Sequence, residues 1–341
     1  MKTKKIFLLL LLFASALQVQ AQQLGLSSQY YLNDIVINPA VAGVKNFLPV
    51  NLSIRRQWTG IKEAPVVQSV STHGYAGMNL GCGGFVLNEV TGPTRRTAIN
   101  FATAYHLVLD KEGMEAPRVL SFGLAANLSQ HYYNINRMTT YEQEDLTTYN
   151  SLNYQLIPDA NFGIYYSRDN HYYAGFSVHH LLQTRRDLFE VVTPFDNGFK
   201  RNYYLTGGYN YELKKGLLEL QPSMMFQMIE AVPFQVEINS RLMYKKTYWL
   251  SLGYRYKEAI VAAWGLQMNI FRLSYSYDIS MSKLKYYNNG SHEISFSVLL
   301  KKYGNAVGGG GKKRWHKSGG IKVTVMNDDA YEEEKNDARS N

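Results

Sequence analysis

The chain has 341 residues, 45% of them hydrophobic and 13% aromatic, with a formal net charge of +9 at pH 7. Its single cysteine, Cys82, excludes an intramolecular disulfide, and after residue 21 no run approaches the ~18 consecutive apolar residues of a membrane-spanning helix. Several of the positive charges belong to the first five residues, and the modest basic excess that remains does not by itself indicate nucleic-acid binding.

Residues 1–21 have the three parts of a secretory signal. A basic head with three lysines precedes an apolar core at 6–17, and a Val-Gln-Ala sequence ends at Ala21. The apolar core is too short to span a membrane as a helix, and no cysteine lies at the cleavage point to carry a lipid. We therefore expect an exported protein from which residues 1–21 are removed.

From about residue 48 to residue 300, apolar and polar residues alternate with a period of two. In residues 271–278, for example, the odd positions are Phe, Leu, Tyr and Tyr, whereas the even positions are Arg, Ser, Ser and Asp. This is the period of a β-strand with one apolar and one polar face. Fourteen strands are predicted, near 48–58, 65–75, 78–88, 96–109, 118–130, 159–167, 171–181, 201–212, 216–228, 233–244, 246–256, 258–268, 269–279 and 290–301.

The charged residues of these strands fall on the polar face. A basic side chain facing the lipid midplane would cost roughly 2–4 kcal/mol, so these side chains must face a barrel interior. We therefore predict an all-β fold: a transmembrane antiparallel β-barrel of about 14 strands, over residues 22–303. The side chains expected inside are Arg55, Glu219, Glu237, Arg241, Arg255, Arg272, Asp278 and Glu293.

Connection lengths predict how the barrel is oriented. In outer-membrane barrels the short turns face the periplasm and the long loops face outside. The connection 110–117 is an exception, since it is long but falls on the short-turn side. Short turns are expected near 74–77, 167–170, 212–215, 245–246 and 269, and long loops at 131–158, 182–200 and 280–290.

The loop 131–158 is rich in tyrosine, including Tyr132, Tyr133 and Tyr141. Exposed aromatic side chains on a surface loop suit recognition of another protein or a plug of the lumen. A loop packed on the rim of its own barrel explains them equally well. Both interpretations stay open at this point.

Residues 304–341 depart from the strand pattern. A glycine-rich linker at 308–311 precedes a basic cluster around Trp315, and the chain ends in a run of acidic residues. Such a composition predicts a flexible, disordered tail. The functional hypothesis is a periplasmic tether to a partner or to the cell wall.

Catalytic and metal-binding patterns are sparse. The pair His179 and His180 would point to opposite faces of a strand and could not chelate one metal without a bulge. No catalytic or phosphate-binding motif is recognised, although a hydrolase could assemble its serine, histidine and acid from separate strands. We expect no enzyme activity, no cofactor and no metal.

Several motifs in chain order carry a further signal. They are QYYLNDIVINPAVAG at 29–43, in which Asn38-Pro39-Ala40 is also a turn signal, then RRQWTGI at 55–61, NEVTGP at 88–93 and LSFGL at 120–124. The ordered set resembles the PorP/SprF family of the Bacteroidetes type IX secretion system, over roughly residues 24–302. The resemblance implies an outer-membrane barrel that supports secretion or surface display of particular cargo, including gliding-motility adhesins. It implies no catalytic residues.

The expected location is therefore the cell outer membrane, with the C-terminal tail in the periplasm. Expected partners are outer-membrane lipid, a secreted type IX cargo protein, and other secretion subunits or cell-wall-associated periplasmic proteins, but not nucleic acid. The alternative is a passive porin or a channel for hydrophobic compounds. Seven residues are candidates for binding a partner, and the first three of them lie where a strand ends at the expected outer rim. They are Arg55, Arg56, Trp58, Tyr132, Tyr133, Tyr141 and Trp315.

Overall fold

A computed structural model describes residues 27–110, 117–134, 154–168, 171–184, 199–230 and 232–300. Within these residues fifteen strand segments form one antiparallel sheet. They are β1 (Leu48–Arg56), β2 (Val66–Gly77), β3 (Leu80–Thr91), β4 (Thr94–Val108), β5 (Arg118–Tyr133), β6 (Tyr154–Arg168), β7 (Tyr172–His179), β8 (Asn202–Tyr209), β9 (Tyr211–Lys214), β10 (Leu218–Ile229), β11 (Gln235–Tyr244), β12 (Tyr248–Arg255), β13 (Ala259–Met268), β14 (Phe271–Ser280) and β15 (Ser291–Leu300).

The sheet closes into a barrel because β15 pairs with β1, with Leu48 opposite Leu300 and Arg56 opposite His292. Segments β8 and β9 both pair with β10 and are two pieces of one barrel strand, interrupted at Asn210. Pro222 of β10 lies in the two-residue gap opposite this interruption, and proline has no N–H to donate to a ladder. The described residues thus form a closed barrel of fourteen strands, and the predicted fold is confirmed.

The predicted strand boundaries agree with the structure to within five residues, and β6 shows the largest difference. Three predicted turns are displaced: β2 continues to Gly77, β6 to Arg168 and β9 to Lys214. The β2–β3 turn is made by Met78 and Asn79, which have φ of 52° and 59°. A two-residue hairpin with both central residues at positive φ matches the twist of the flanking strands.

The predicted alternation of connection lengths is only partly correct. In the described residues, short connections also occur at the long-loop end, at 92–93 between β3 and β4 and at 256–258 between β12 and β13. The two ends nevertheless differ. The long connections 134–153 and 180–201 both lie at the end where β1 finishes, together with 57–65 and 281–290.

The two faces of the wall have opposite character, as predicted. Large apolar side chains such as Leu252 (68% exposed) and Leu250 (66% exposed) point outward. Six of the eight charged residues predicted inside are buried, and Arg241 and Arg272 are half-buried with glutamine partners on the same face. No helix in the described part of the chain is long and apolar enough to cross a membrane.

Candidate functional site

Residues 27–45, here called the plug, precede β1 and lie inside the barrel. They fold into three short 3-10 turns, Tyr30–Leu32, Asp34–Val36 and Pro39–Val41. Asn38 starts the third turn: its backbone is extended, and its side-chain oxygen accepts a hydrogen bond of 2.9 Å from the Ala40 N–H. Asparagine at a helix N-cap followed by proline is a favoured start. The predicted turn at Asn38-Pro39-Ala40 is confirmed.

A row of small inward-facing residues lets the plug backbone approach the wall. A Cβ atom added at Gly123 would lie 2.2 Å from the Ala40 nitrogen, and one at Gly163 would lie 2.0 Å from the Asn38 side-chain oxygen. Neither distance is possible for real atoms, so only glycine fits at these positions. The row runs in register across β3 to β7 and consists of Gly81, Ala104, Gly123, Gly163 and Ser177.

Polar contacts hold this part of the plug to the wall. The Asn38 side-chain amide donates to the backbone oxygen of Ile164 at 2.9 Å. The Ser177 hydroxyl donates to the Ile37 backbone oxygen at 2.7 Å. Backbone groups of an irregular buried segment need such partners, because an unpaired group costs free energy comparable to a lost hydrogen bond. The wall of β6 and β7 is therefore matched to this segment in both shape and hydrogen bonding.

On the opposite side of the lumen, Ser28 lies at the centre of a buried charged group, here called the Ser28 cluster. Its hydroxyl donates to Asp278 at 2.7 Å and accepts from Arg55 at 2.8 Å and from Arg255 at 2.9 Å. Its backbone N–H donates to the Glu293 carboxylate at 2.8 Å. The plug is thus bonded to β1, β12, β14 and β15 through one residue. The cluster consists of Ser28, Arg55, Glu237, Arg255, Asp278 and Glu293.

Ion pairs bind the cluster together. Arg55 lies 2.7 Å from Asp278 and 3.3 Å from Glu293, and Arg255 lies 2.7 Å from Glu237 and 3.2 Å from Asp278. All five charged side chains are 3% exposed or less. Two arginines and three carboxylates thus neutralise most of each other's charge, which is the condition under which buried ions are tolerated.

Apolar and aromatic contacts complete the plug's attachment. Leu32 packs with Trp249 and Ala263, and the Arg241 guanidinium lies 5.0 Å from the centre of the Tyr31 ring. Burial raises the pKa of Tyr31 to about 12. The plug therefore contacts the wall on all sides by different means: backbone packing, ion pairs and ring contacts.

Toward the long-loop end a cavity of about 130 Å³ remains between the plug and strands β15, β1 to β8. Part of its wall is polar, including Asn127 and Asn161. Another part is apolar and formed by Val67, Phe85 and Leu87. Plug residues, including Ser27, Tyr30 and Val36, line the remaining side of this cavity.

The residues predicted at the rim are distributed differently from what the sequence suggested. Arg55 is inside, in the Ser28 cluster, whereas the adjacent Arg56 is exposed at the end of β1. Trp58 lies beyond the strand, half-buried, and its backbone N–H donates to the Ser291 hydroxyl at 3.1 Å. Adjacent residues of a strand point to opposite faces, so Arg55 faces the lumen and Arg56 faces outward. Partner binding by these residues stays a prediction.

The aromatic candidates of the loop 131–158 are only partly within the described residues. Tyr132 is 42% exposed and points outward from the end of β5, next to the half-buried Tyr133. Tyr141 and Trp315 lie outside the described residues. This loop was one predicted candidate for a plug of the lumen, whereas within the described part of the chain the segment in the lumen is residues 27–45. The sequence signal that could have indicated a plug at residues 27–45 is the set of glycines on the otherwise polar inner face of the strands.

Three histidines of the lumen make hydrogen-bonding contacts with different partners. His180, with φ of 60°, lies just past β7 and is bonded to Asp159, whereas His179 bonds the Ile37 backbone oxygen at 2.6 Å. The Ser129 hydroxyl lies 3.5 Å from His131. The rings of His131 and His180 both pack against Phe199. Among the described residues no group of three or more histidine, cysteine or acidic side chains could hold a metal.

A family model described as Type IX secretion system membrane protein PorP/SprF matches residues 19–298 of the chain. The chain belongs to the PorP/SprF family. No curated protein matches it. Residues 29–43, on which the resemblance to the PorP/SprF family is most extended, form most of the plug, so the sequence that marks the family here also forms the segment in the lumen.

The chain is also similar to several solved structures. The CymD monoaromatic hydrocarbon channel is 10% identical, with 82% of this chain and 94% of that chain covered and a TM-score of 0.41. A Pseudomonas aeruginosa FadL homologue is 9% identical, with 76% and 91% covered and a TM-score of 0.41. BamA from Haemophilus ducreyi, lacking POTRA domains 1–3, is 9% identical, with 74% and 70% covered and a TM-score of 0.39. These identities are too low to transfer a function.

Proposed function

We propose that this PorP/SprF protein is a non-enzymatic outer-membrane component of type IX secretion that supports export or surface display of a specific cargo, such as an adhesin. Besides the family, the observation that supports this role is the plug. Residues 27–45 occupy the lumen and are bonded to the wall on opposite sides, so the interior is not arranged as a wide diffusion path. The protein then acts through its rim, its loops and its contacts with other proteins.

In this proposal the long-loop end faces the cell exterior, where Arg56, Trp58 and the tyrosine-rich loop that includes Tyr132 meet the cargo or the translocon. The apolar outer wall contacts outer-membrane lipid. Residues 304–341, with Trp315, extend into the periplasm toward other secretion subunits or cell-wall-associated proteins. Residues 1–21 direct export and are removed.

Deleting the gene tests the proposal. Surface-exposed proteins of the deletion strain are shaved with protease from intact cells and identified by mass spectrometry, next to the parent and a complemented strain. We expect one or a few large secreted proteins to disappear from the surface and to return on complementation. A deletion strain with an unchanged set of surface proteins would contradict the role in secretion.

Single-channel recording separates this proposal from a passive porin. In a planar bilayer the purified full-length protein is expected to show little or no conductance, because the plug fills the lumen. A large, stable conductance in the full-length protein would favour the diffusion channel instead.

A further inference from the structure

Two arginines face each other on the outer surface of the barrel, at the end opposite the long loops. Arg118 is the first residue of β5 and Arg168 the last of β6, and the two are direct partners in the register of these strands. Both side chains are exposed and point outward, since the adjacent Val119 and Ser167 are buried on the inner face. Like charges directly opposite each other destabilise a sheet, so this arrangement favours an anion close to both guanidinium groups.

The carboxylate of Asp110 lies beside this pair. It accepts hydrogen bonds from the Nε–H group of Arg118 at 2.9 Å and from the backbone N–H of the same residue at 2.7 Å. Hydrogen bonds from Arg118 lower the pKa of Asp110 to about 2, and the charge of Arg168 acts in the same direction. Asp110 is therefore ionised at neutral pH. Two guanidinium groups and one carboxylate leave an excess of one positive charge in this group of three side chains.

Tyrosines and an apolar surface place the two arginines at the level of the lipid headgroups. The rings of Tyr166 and Tyr172 lie 5.9 Å apart beside the second arginine, and Tyr209, directly opposite Tyr172, is exposed. On the other side of the pair, the exposed Leu109 continues the apolar surface of β4. Tyrosine belts mark the interfaces of a membrane barrel, where basic side chains are tolerated far better than at the midplane.

A shallow depression in the lipid-facing wall adjoins these tyrosines. Ala174 of β7 is paired with Gly207 of β8, and both face outward. A Cβ atom added at Gly207 would meet only the Tyr173 backbone oxygen at 3.6 Å, so the space outside this position is open. The larger Tyr166 is the partner of Ala174 on the other side and borders the depression. An acyl chain lying in it makes more contacts than a chain on a flat wall.

We propose that Arg118 and Arg168 bind the phosphate of an anionic phospholipid, one acyl chain of which lies over Ala174 and Gly207. A planar guanidinium group presents its N–H donors in a fork that matches two phosphate oxygens, and two such groups side by side surround one phosphodiester. In the orientation proposed above, the lipid belongs to the periplasmic leaflet. The site differs from the general contact of the wall with lipid because it selects a headgroup by its charge.

Native mass spectrometry of the full-length protein in a neutral detergent tests the proposal. Dioleoylphosphatidylglycerol is the complete probe, dioleoylglycerol has the same chains without the phosphate, and glycerol 3-phosphate has the phosphate without the chains. The fraction of protein that carries a ligand is measured as the ligand concentration is increased. We expect a saturable phosphatidylglycerol site whose dissociation constant is at least about tenfold lower than that of either partial probe.

Removing one guanidinium group locates the site. Arg168→Gln should raise the dissociation constant for phosphatidylglycerol by about tenfold, because a charged hydrogen bond to the phosphate is lost. The matched control is Lys246→Gln, which removes an exposed positive charge at the same end of the barrel and should change binding by less than about twofold. Heat-modifiable gel mobility reports whether each barrel is folded. If Arg168→Gln does not fold, Arg168→Lys takes its place, with a rise of about threefold because the charge stays and the fork is lost.

The depression has a variant of its own. Gly207→Phe fills it from the lipid side and should weaken phosphatidylglycerol binding by about threefold or more while leaving glycerol 3-phosphate binding unchanged. A folded Gly207→Phe protein that binds phosphatidylglycerol as tightly as the natural protein would overturn the placement of the acyl chain.

Three further results would overturn the lipid site. Dioleoylglycerol binding as tightly as phosphatidylglycerol would show that the phosphate is not recognised, and glycerol 3-phosphate binding as tightly would reduce the site to one for free anions. Equal weakening by Arg168→Gln and Lys246→Gln in folded barrels would assign binding to the general surface charge. Because lipid binding is measured without cargo, each of these results leaves the proposed role in secretion standing.

Discussion

At Gly123 the absence of a side chain sets the distance between wall and plug. Gly123→Ala would force a Cβ to within 2.2 Å of the Ala40 nitrogen, so either the plug or β5 must shift. We expect a loss of about 1–3 kcal/mol and a lower melting temperature in detergent, followed by circular dichroism. The matched control is Gly207→Ala, whose Cβ would meet only the Tyr173 backbone oxygen at 3.6 Å. Equal melting temperatures for the two variants would contradict close packing at Gly123.

Arg255 provides a second test at the residue scale. Arg255→Met would leave Glu237 and Asp278 buried without this partner, and breaking a buried ion pair costs about 3–5 kcal/mol. We expect a clear decrease in the urea midpoint of unfolding. Lys246→Met is the control, since the Lys246 side chain is 66% exposed and its ammonium lies 3.9 Å from Glu219, where a pair contributes about 0–1 kcal/mol. Similar midpoints for both variants would show that the Ser28 cluster adds no stability.

The sequence predicted which side of each strand these charged residues occupy but not whom they contact. Alternation places Arg255 and Asp278 on the inner face whatever the register. Their contact depends on the register of β12, β13 and β14, in which Arg255 lies opposite Ala259 and Asp278 lies opposite Val261, and on Ser28 lying between them. The contacts of Arg55 with this group form only when β15 pairs with β1 around the plug. The same holds for Gly123, whose role depends on a segment about eighty residues earlier in the chain.

At the scale of elements, the plug can be removed from the lumen. Deleting residues 27–45 removes every bond described between this segment and the wall while leaving the ladder hydrogen bonds of β1 to β15 in place. We expect a measurable conductance in planar bilayers that the full-length protein lacks, because the lumen becomes water-filled. Heat-modifiable gel mobility must show a folded barrel for the comparison to count. A folded deletion variant that stays non-conducting would mean that other residues close the lumen.

The strands could be predicted from the sequence and the plug could not, because only the strands follow a regular period. A strand with one face in lipid repeats every two residues, and that period is visible in sequence even where its ends are uncertain. Residues 27–45 make three turns of three residues each and bury both polar and apolar side chains, so no period arises. The turn at Asn38 was visible because proline fixes its own φ. Its location inside a barrel was not.

For the whole molecule, the unequal ends of the barrel predict its orientation. On a Cys82→Ser background, Lys62→Cys places a thiol in the connection 57–65, and Lys246→Cys places one in the β11–β12 turn at the opposite end. We expect a membrane-impermeant maleimide to label position 62 in intact cells and position 246 only after the outer membrane is permeabilised. The reverse pattern would invert the proposed orientation.

The bonds of Ser28 also determine the order in which the molecule can be assembled. Its partners Asp278 and Glu293 are 250 and 265 residues away in the chain, on the last two strands of the described residues. The Ser28 contacts can therefore form only when β14 and β15 have joined the barrel. Because Ser28 is bonded to Arg55 of β1 and to Glu293 of β15, closing the barrel and anchoring the start of the plug are coupled.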